Sequence, residues 1–380
     1  MANPEENSNR QQPAAEPLRV MLVGESEVVG ERVHEVLDGL SDITVSVRVA
    51  DGIGAVSAMR RQVVDAVILD IGDPQMNVSV TLSRLFRVDP QAKVVMVASL
   101  SFGNVKNSMR GLMEGAAEFI PTPAAHAKTH SEPEFANKLT SVIRAFGRSE
   151  RSIAPRTVVT RRAPPRPRAA EPKQPAPITL RPAARLAPKV LAVGSSTGGP
   201  QALFTFLATM PPSLDLPIFI TQHMPATFTS LLANHISKHS GLDCREGEDG
   251  EPVRANRLYL APGDLHMTVE RVDGTPTIRL NDGPQINFCR PAVDPLFESV
   301  SQVYGDRVLA TVLTGMGSDG LAGGRAVVEA GGTVIAQDEE SCVVWGMPRA
   351  VAEAGLCSAI LPLDELGPFV GKFITDLAAG

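Results

Sequence analysis

The chain has 380 residues, of which 43% are hydrophobic and 21% charged, with a formal net charge of −6. That length holds two domains of ordinary size with core to spare, and the negative balance argues against nucleic acid as a partner, as do aromatics limited to thirteen Phe, two Tyr and one Trp. No segment approaches the roughly 18 unbroken apolar residues of a membrane span, so direct membrane insertion is not expected. Cys244, Cys289, Cys342 and Cys357 lie far apart with no C-x-x-C, which reads as buried, reduced thiols in a cytoplasmic protein.

Residues 1–17 are polar and contain proline, without the apolar core of a signal peptide, and read as a disordered tail. From Leu18 short apolar runs alternate with amphipathic ones. Candidate strands are 19–23, 43–47, 66–69, 94–98 and 118–120, with helical patterns between them and a last one over about 132–146. Five strands alternating with helices predict a doubly wound parallel sheet, whose ligands sit at the carboxyl ends of the strands. Asp70 closes the third strand, AVILD, and is followed by Ile71-Gly72-Asp73-Pro74. A carboxylate there is either a functional acid or the first residue of a loop.

This pattern over residues 18–147 resembles the receiver domain of two-component response regulators, a flavodoxin-like fold. Asp70 falls at the phosphoacceptor position, and Pro74 fits the loop after it. Three positions depart from the family. The acidic pair that usually binds Mg²⁺ reads Gly24-Glu25, the switch Ser/Thr matches Ala98, and the Lys of the usual Lys-Pro matches Thr122. Mg²⁺ wants several oxygens in octahedral array, and a phosphoryl group on Asp70 would lack its Lys counter-charge and its switch hydroxyl. Mg²⁺ at this receiver is therefore doubtful, and a degenerate receiver that regulates by packing is favoured over one switched at Asp70.

Residues 148–188 are rich in Pro, Ala and Arg, with no surviving apolar period. They read as an extended spacer between two domains rather than a nucleic-acid arm. The alternation restarts at Lys189 and defines a second domain over 189–380. Its candidate strands include 190–193, 218–222, 258–260, 308–313 and 333–336. Runs at 265–269 and 277–280 flank the Asp273-Gly274 hairpin signal, so antiparallel strands are expected to join an otherwise parallel sheet.

Within KVLAVGSSTGGPQAL an apolar run breaks into Gly194-Ser195-Ser196-Thr197-Gly198-Gly199, and a helical pattern starts near Pro200. Gly194-x-Ser196-x-Gly198 has the spacing of a nucleophile elbow, in which glycines allow a sharp turn that exposes the hydroxyl. The alternatives are a phosphate-binding turn and a plain strand–helix connection. Two other strands end alike, 218–222 in His223-Met224-Pro225 and 309–313 in Thr314-Gly315-Met316-Gly317-Ser318-Asp319-Gly320. In a parallel sheet such ends gather along one edge, so Ser196, His223 and Asp319 can meet as nucleophile, base and orienting acid. Read singly, the His is a structural residue and the Asp a turn or cap.

The segments GSSTGG, QHMPATFT, YLAPGDLHM, RPAVDPLFESVSQVYG, LTGMGSDGLAGG and AQDEESCVVWGMPRAV resemble the catalytic domain of the chemotaxis protein-glutamate methylesterase (CheB) family over residues 189–375. The resemblance implies a mostly parallel Rossmann-like sheet with an antiparallel hairpin. It implies Ser196 as nucleophile, His223 as general base and Asp319 as its partner, with Thr197 at the active-site turn and the Met316 N–H offered to the oxyanion. Asn234-His235 departs from an Arg-Leu pair common at that place. The implied reaction is hydrolysis of γ-glutamyl methyl esters on the cytoplasmic helices of methyl-accepting chemoreceptors, with glutamine deamidation open to the same machinery. It needs no cofactor, and it implies a chemotaxis histidine kinase as a partner. The alternatives are a non-catalytic signalling adaptor and an esterase or deamidase for a different protein. His266 reads as a structural residue at the rim of the site. His126 and His130 with Glu132 lie in a polar stretch that does not read as a metal site.

Overall fold

The computed structural model describes residues 16–73, 76–123, 131–148, 178–211 and 214–378. Pro74, His126, His130, residues 1–15 of the predicted tail and residues 149–177 of the predicted spacer lie outside them. The first half runs β1 (Leu18–Val23), α1 (Glu27–Leu37), β2 (Ile43–Val49), α2 (Gly52–Arg61), β3 (Ala66–Asp70), α3 (Val78–Val88), β4 (Val94–Ala98), α4 (Phe102–Met113), β5 (Glu118–Pro121), α5 (Glu132–Arg148). The second half runs β6 (Val190–Ser195), α6 (Gly199–Ala208), β7 (Ile218–Gln222), α7 (Ala226–Ser240), β8 (Asp243–Glu246), β9 (Arg257–Leu260), β10 (His266–Val272), β11 (Thr275–Asn281). It continues with α8 (Val293–Tyr304), β12 (Val308–Val312), α9 (Leu321–Glu329), β13 (Thr333–Gln337), α10 (Met347–Glu353), β14 (Cys357–Leu361), α11 (Leu363–Ala378).

The first sheet has the order β2-β1-β3-β4-β5 and is parallel throughout. The second has the order β14-β13-β12-β6-β7-β9-β8, again all parallel. β3, β4, β6, β7, β12 and β13 are buried at every residue, as expected of parallel strands with helices on both faces, and this is why they read as unbroken apolar runs. The chain leaves β6 toward β7 and later returns to its other side at β12. The carboxyl end of β6 therefore lies at the topological switch point, where α/β sheets bind ligands.

Three features differ from the sequence reading. The Asp273-Gly274 hairpin forms, but β10 and β11 make a two-stranded sheet of their own. Their apolar residues Met267, Val269 and Ile278 pack on Leu296, Phe297 and Val300 of α8 rather than against a sheet edge. The short edge strands β8 and β14 have no strong apolar signal in the sequence. Residues 178–188, assigned to the spacer, are tied to the second sheet. The Arg181 N–H donates to the Cys357 carbonyl, and the Ala184 N–H donates to the Thr333 hydroxyl at 2.8 Å.

The two halves share one apolar cluster. It runs from Leu69, Met96 and Leu112 of the first sheet and its helices to Leu203, Phe228 and Leu232 of the second, with α4 packed on α6 and α7. Beneath the site, Gly194 in β6 faces Val293, and a Cβ added there would lie 2.5 Å from Val293 Cγ1. Overpacking of this kind costs about 1–3 kcal/mol. Gly194→Ala should therefore lower the melting temperature by about 3–10 °C in a thermal unfolding scan, while Gly241→Ala, whose Cβ would meet nothing within 4 Å, should suffer only the backbone strain of its positive φ.

Candidate active site

Ser196, His223 and Asp319 follow β6, β7 and β12, three neighbouring strands. Gln222 ties the first two together. Its Oε1 accepts from the Ser195 hydroxyl at 2.7 Å, and its Nε2 donates to the Ser196 carbonyl at 2.9 Å. The Ser196 N–H donates to the Thr314 carbonyl at 3.0 Å, which binds the turn to the Thr314-Gly315-Met316-Gly317 segment. Gly198 caps α6 at φ 77°, a left-handed conformation that glycine adopts without strain. Pro200 then opens the helix, where its missing N–H costs nothing.

His223 Nε2 lies 2.7 Å from Asp319 Oδ2, with both side chains buried. Asp319 is held on every side. Its Oδ2 also accepts the Val293 N–H at 2.6 Å, and its Oδ1 accepts the Asp294 N–H, the Gly320 N–H and the Asn287 amide, each at 3.1 Å. Val293 and Asp294 begin α8, which has no side-chain cap of its own. Asp319 thus caps α8 and holds the His223 ring at once. Asp294 returns the arrangement by accepting the Gly320 and Gly323 N–H groups of α9 at 2.9 and 2.8 Å.

Burial works to raise the pKa of Asp319, but the hydrogen bond from His223 and those from the backbone outweigh it and hold the carboxyl below its usual range. Burial pushes Asp294 up to about 6, and the Asp319 charge beside it adds to the rise. For His223, burial disfavours the cation, yet hydrogen bonds to Asp319 and to Cys289 carry it up to about 9. Cys289 Sγ lies 3.3 Å from His223 Nδ1, the ring nitrogen turned away from Asp319. The Ser196 hydroxyl makes no hydrogen bond among the described residues, so the structure brings Ser196 and His223 to one sheet edge without joining their side chains.

Asn287, Cys289 and Asp294 belong to the site and were not found by sequence reasoning. None ends a strand, and Asp294, though it lies in the RPAVDPLFESVSQVYG segment, carries no local sign of its role there. The other three cysteines are buried, and burial pushes up their thiols. His266 is structural, as expected: the Ala292 N–H donates to its Nδ1 at 3.2 Å, and its Nε2 meets the Pro284 carbonyl at 3.0 Å. Asn234 and His235 lie on α7. Met316 follows Gly315, whose Cβ would lie 2.9 Å from Ser196 Cβ. The Met316 N–H has no acceptor among the described residues.

Thr197 is buried at the seam with the first half. Its hydroxyl donates to Glu118 Oε2 at 2.6 Å, and the Gly198 N–H donates to the Ala117 carbonyl at 2.8 Å. Lys138 of α5 pairs with Glu118 at 3.1 Å, and Phe119 meets Phe228 with ring centroids 5.2 Å apart. The active-site turn is therefore covered by β5 and its preceding residue.

Asp70, at the end of β3, is 1% exposed. Its Oδ1 accepts the Gly72 N–H at 2.9 Å, and its Oδ2 has no partner among the described residues. Burial raises its pKa. Gly24 stands over it at φ 143°, and a Cβ there would lie 2.6 Å from Asp70 Cβ, so no second carboxylate fits. Glu25 faces solvent, Thr122 and Ala98 are buried, and no cluster of three metal-ligating side chains occurs among the described residues. One free carboxylate oxygen does not fit an ion that wants six.

The electrostatics set a pH dependence. A His223 acting as general base has to be neutral to take a proton, so in that role kcat/KM of the full chain should rise with pH and level off toward about 9 instead of near 6.5. Asp319→Asn should move that limb to lower pH, which a pH–rate profile reads directly. The sign for stability is opposite. The contribution from the raised His223 is complete below pH 6.5 while Asp319 stays ionised, and it is lost as pH climbs through about 9.

Comparison with known proteins shows the family of the chain. The CheB methylesterase family profile matches residues 191–370. The chain is 46% identical over 371 residues to the protein-glutamate methylesterase/protein-glutamine glutaminase 1 of Paramagnetospirillum magneticum, covering 95% of this chain and 97% of the relative. It is likewise 46% identical over 371 residues to the protein-glutamate methylesterase/protein-glutamine glutaminase of Azospirillum brasilense, covering 96% and 94%. Among solved structures, the Thermotoga maritima CheB methylesterase catalytic domain is 39% identical, covering 49% of this chain and 99% of that one with a TM-score of 0.48. The response regulator domain of Thermotoga maritima CheB is 26% identical, covering 34% and 94% with a TM-score of 0.29. With near-complete coverage in both directions at that identity, the chain belongs to the CheB methylesterase family.

Proposed function

We propose that this protein is a serine esterase that hydrolyses glutamate γ-methyl esters on the cytoplasmic helices of methyl-accepting chemoreceptors. The observation that carries the reading is His223 held between a buried, ionised Asp319 and the edge where Ser196 stands. Because Nε2 faces Asp319, Nδ1 is the nitrogen that works. It exchanges Cys289 for the Ser196 hydroxyl and takes the proton as Oγ attacks the ester carbonyl. The Met316 N–H at the turn stabilises the oxyanion. The proton then passes to the departing methoxide, and methanol leaves an acyl-serine. Water, deprotonated by the same Nδ1, releases the glutamate carboxylate and restores Ser196. The reaction as written needs no metal or organic cofactor.

The paired names of the relatives favour a second activity at the same centre, deamidation of glutamine. It passes through a like tetrahedral state and loses ammonia in place of methanol. A non-catalytic adaptor would have no use for Ser196, His223 and Asp319 kept together. No helix among the described residues is long and apolar enough to cross a membrane, which suits an enzyme that meets its receptors from the cytoplasm. The receiver-like half supports a histidine kinase as partner. Control through Asp70 is weak in this reading: the carboxyl is buried, its metal site lacks ligands, and its reporting hydroxyl is replaced by Ala98. The seam at Thr197 and Gly198 is the stronger device.

Methanol release from a methylated receptor bundle tests the chemistry. Ser196→Ala should lower it about 10³-fold or more, with the fold intact, and wild-type release by that variant would refute the serine mechanism. A small phosphodonor with Mg²⁺ should raise release by the full chain less than about tenfold, whereas Glu118→Ala, which removes the partner of Thr197, should raise it without any phosphodonor. Strong activation by phosphodonor that Asp70→Asn abolishes would show that the receiver still switches through its aspartate.

A further inference from the structure

Between Asn287 and Cys289, both bound into the triad network, stands a side chain that contacts nothing. Phe288 is 95% exposed, against 66% for Val28, the next most exposed large hydrophobic residue described. Asn287 and Phe288 are consecutive non-glycine residues in the left-handed region, at φ 53° and 62°, a conformation that persists only where its surroundings hold it.

The surroundings do hold it. Ile286 and Cys289 exchange both backbone hydrogen bonds, at 3.1 and 2.9 Å. The Asn287 amide donates to Asp319 and Asp294. Arg290 donates to the Asp282 and Gly283 carbonyls at 2.8 and 2.9 Å, and His266 bridges Pro284 to Ala292. The turn is thus rigid, its flanks are fixed to the reacting groups, and its tip is an aromatic ring in water. Ile286, 38% exposed, adds a second apolar contact on the same turn. The turn that presents the ring is already ordered, so little backbone freedom is lost on binding, which is the character of an interface anchor.

We infer that Phe288 is the substrate-anchoring residue of this enzyme, docking against aliphatic side chains of the helical substrate protein beside its esterified glutamate. The inference rests on the esterase reading above. The occupant follows from position. A partner that seats on Phe288 is one residue from Cys289 and therefore beside His223 Nδ1, where the ester must lie. Phe288 is also open while the receiver half covers Thr197 and Gly198, so the substrate gains a foothold before the cover lifts.

The test compares the full-length Ser196→Ala chain with Ser196→Ala/Phe288→Ala in titrations with a methylated receptor bundle, and measures KM and kcat for methanol release by Phe288→Ala. Loss of the ring should weaken binding about tenfold or more and raise KM by a like factor, with kcat changed less than about twofold. Phe288→Leu should restore most of the affinity. The melting temperature of Phe288→Ala should stay within about 2 °C of the unaltered protein, because the ring packs on nothing. Unchanged binding and KM in Phe288→Ala overturn the anchor. A bundle that binds through Phe288 yet yields no methanol with the unaltered chain overturns the esterase reading and keeps the anchor.

Discussion

Two helix N-termini exchange carboxylates at the centre of this molecule. Asp319 lies two residues before α9 but caps α8, while Asp294 lies in the first turn of α8 and caps α9. Neither helix has a side-chain cap from its own Ncap residue, so each depends on the other for its exposed N–H groups. The positive ends of the two dipoles make an ionised Asp319 tolerable in a buried place. The charged acid in turn fixes His223. The placing of His223 and Asp319 is thus tied to how two helices are finished. The first half shows the contrast. Its helices α1 to α4 are capped locally by Ser26, Asp51, Asn77 and Ser101, and no functional group is spent on them.

This contrast explains what was legible in the sequence. Buried parallel strands announce themselves as apolar runs, and residues that end them fall at one sheet edge by topology alone. Ser196, His223 and Asp319 were accessible on that basis, as was Asp70. Asn287, Cys289 and Asp294 were not, because their roles come from contacts across 26 to 66 positions of chain that no local period encodes. The hairpin was legible from Asp273-Gly274, but its separation from the main sheet was not. That depended on α8 offering an apolar face that Met267 and Ile278 fill. Residues 178–188 were misread for a related reason. A Pro-rich segment shows no periodicity whether it is free or tied down by hydrogen bonds of its backbone groups.

The receiver-like half has the parallel five-stranded sheet, and Asp70 at its carboxyl edge is buried beneath Gly24. Gly24 is accommodated only because it has no side chain, and its nearness to Asp70 excludes the ligand that a metal would require. What remains intact is the surface that meets the second half. The apolar cluster crosses that boundary without interruption, and Glu118 with Lys138 sets a charged pair at the active-site turn.

The seam itself has a mechanical consequence. Ala117 contributes a backbone carbonyl and Glu118 a side-chain carboxylate, and they engage the consecutive residues Gly198 and Thr197. A slip of one residue along β5 would displace both partners by about 3.3 Å, far beyond the tolerance of a hydrogen bond. Sliding along β5 therefore breaks both bonds together, so the two contacts act as one latch and not as a graded slide.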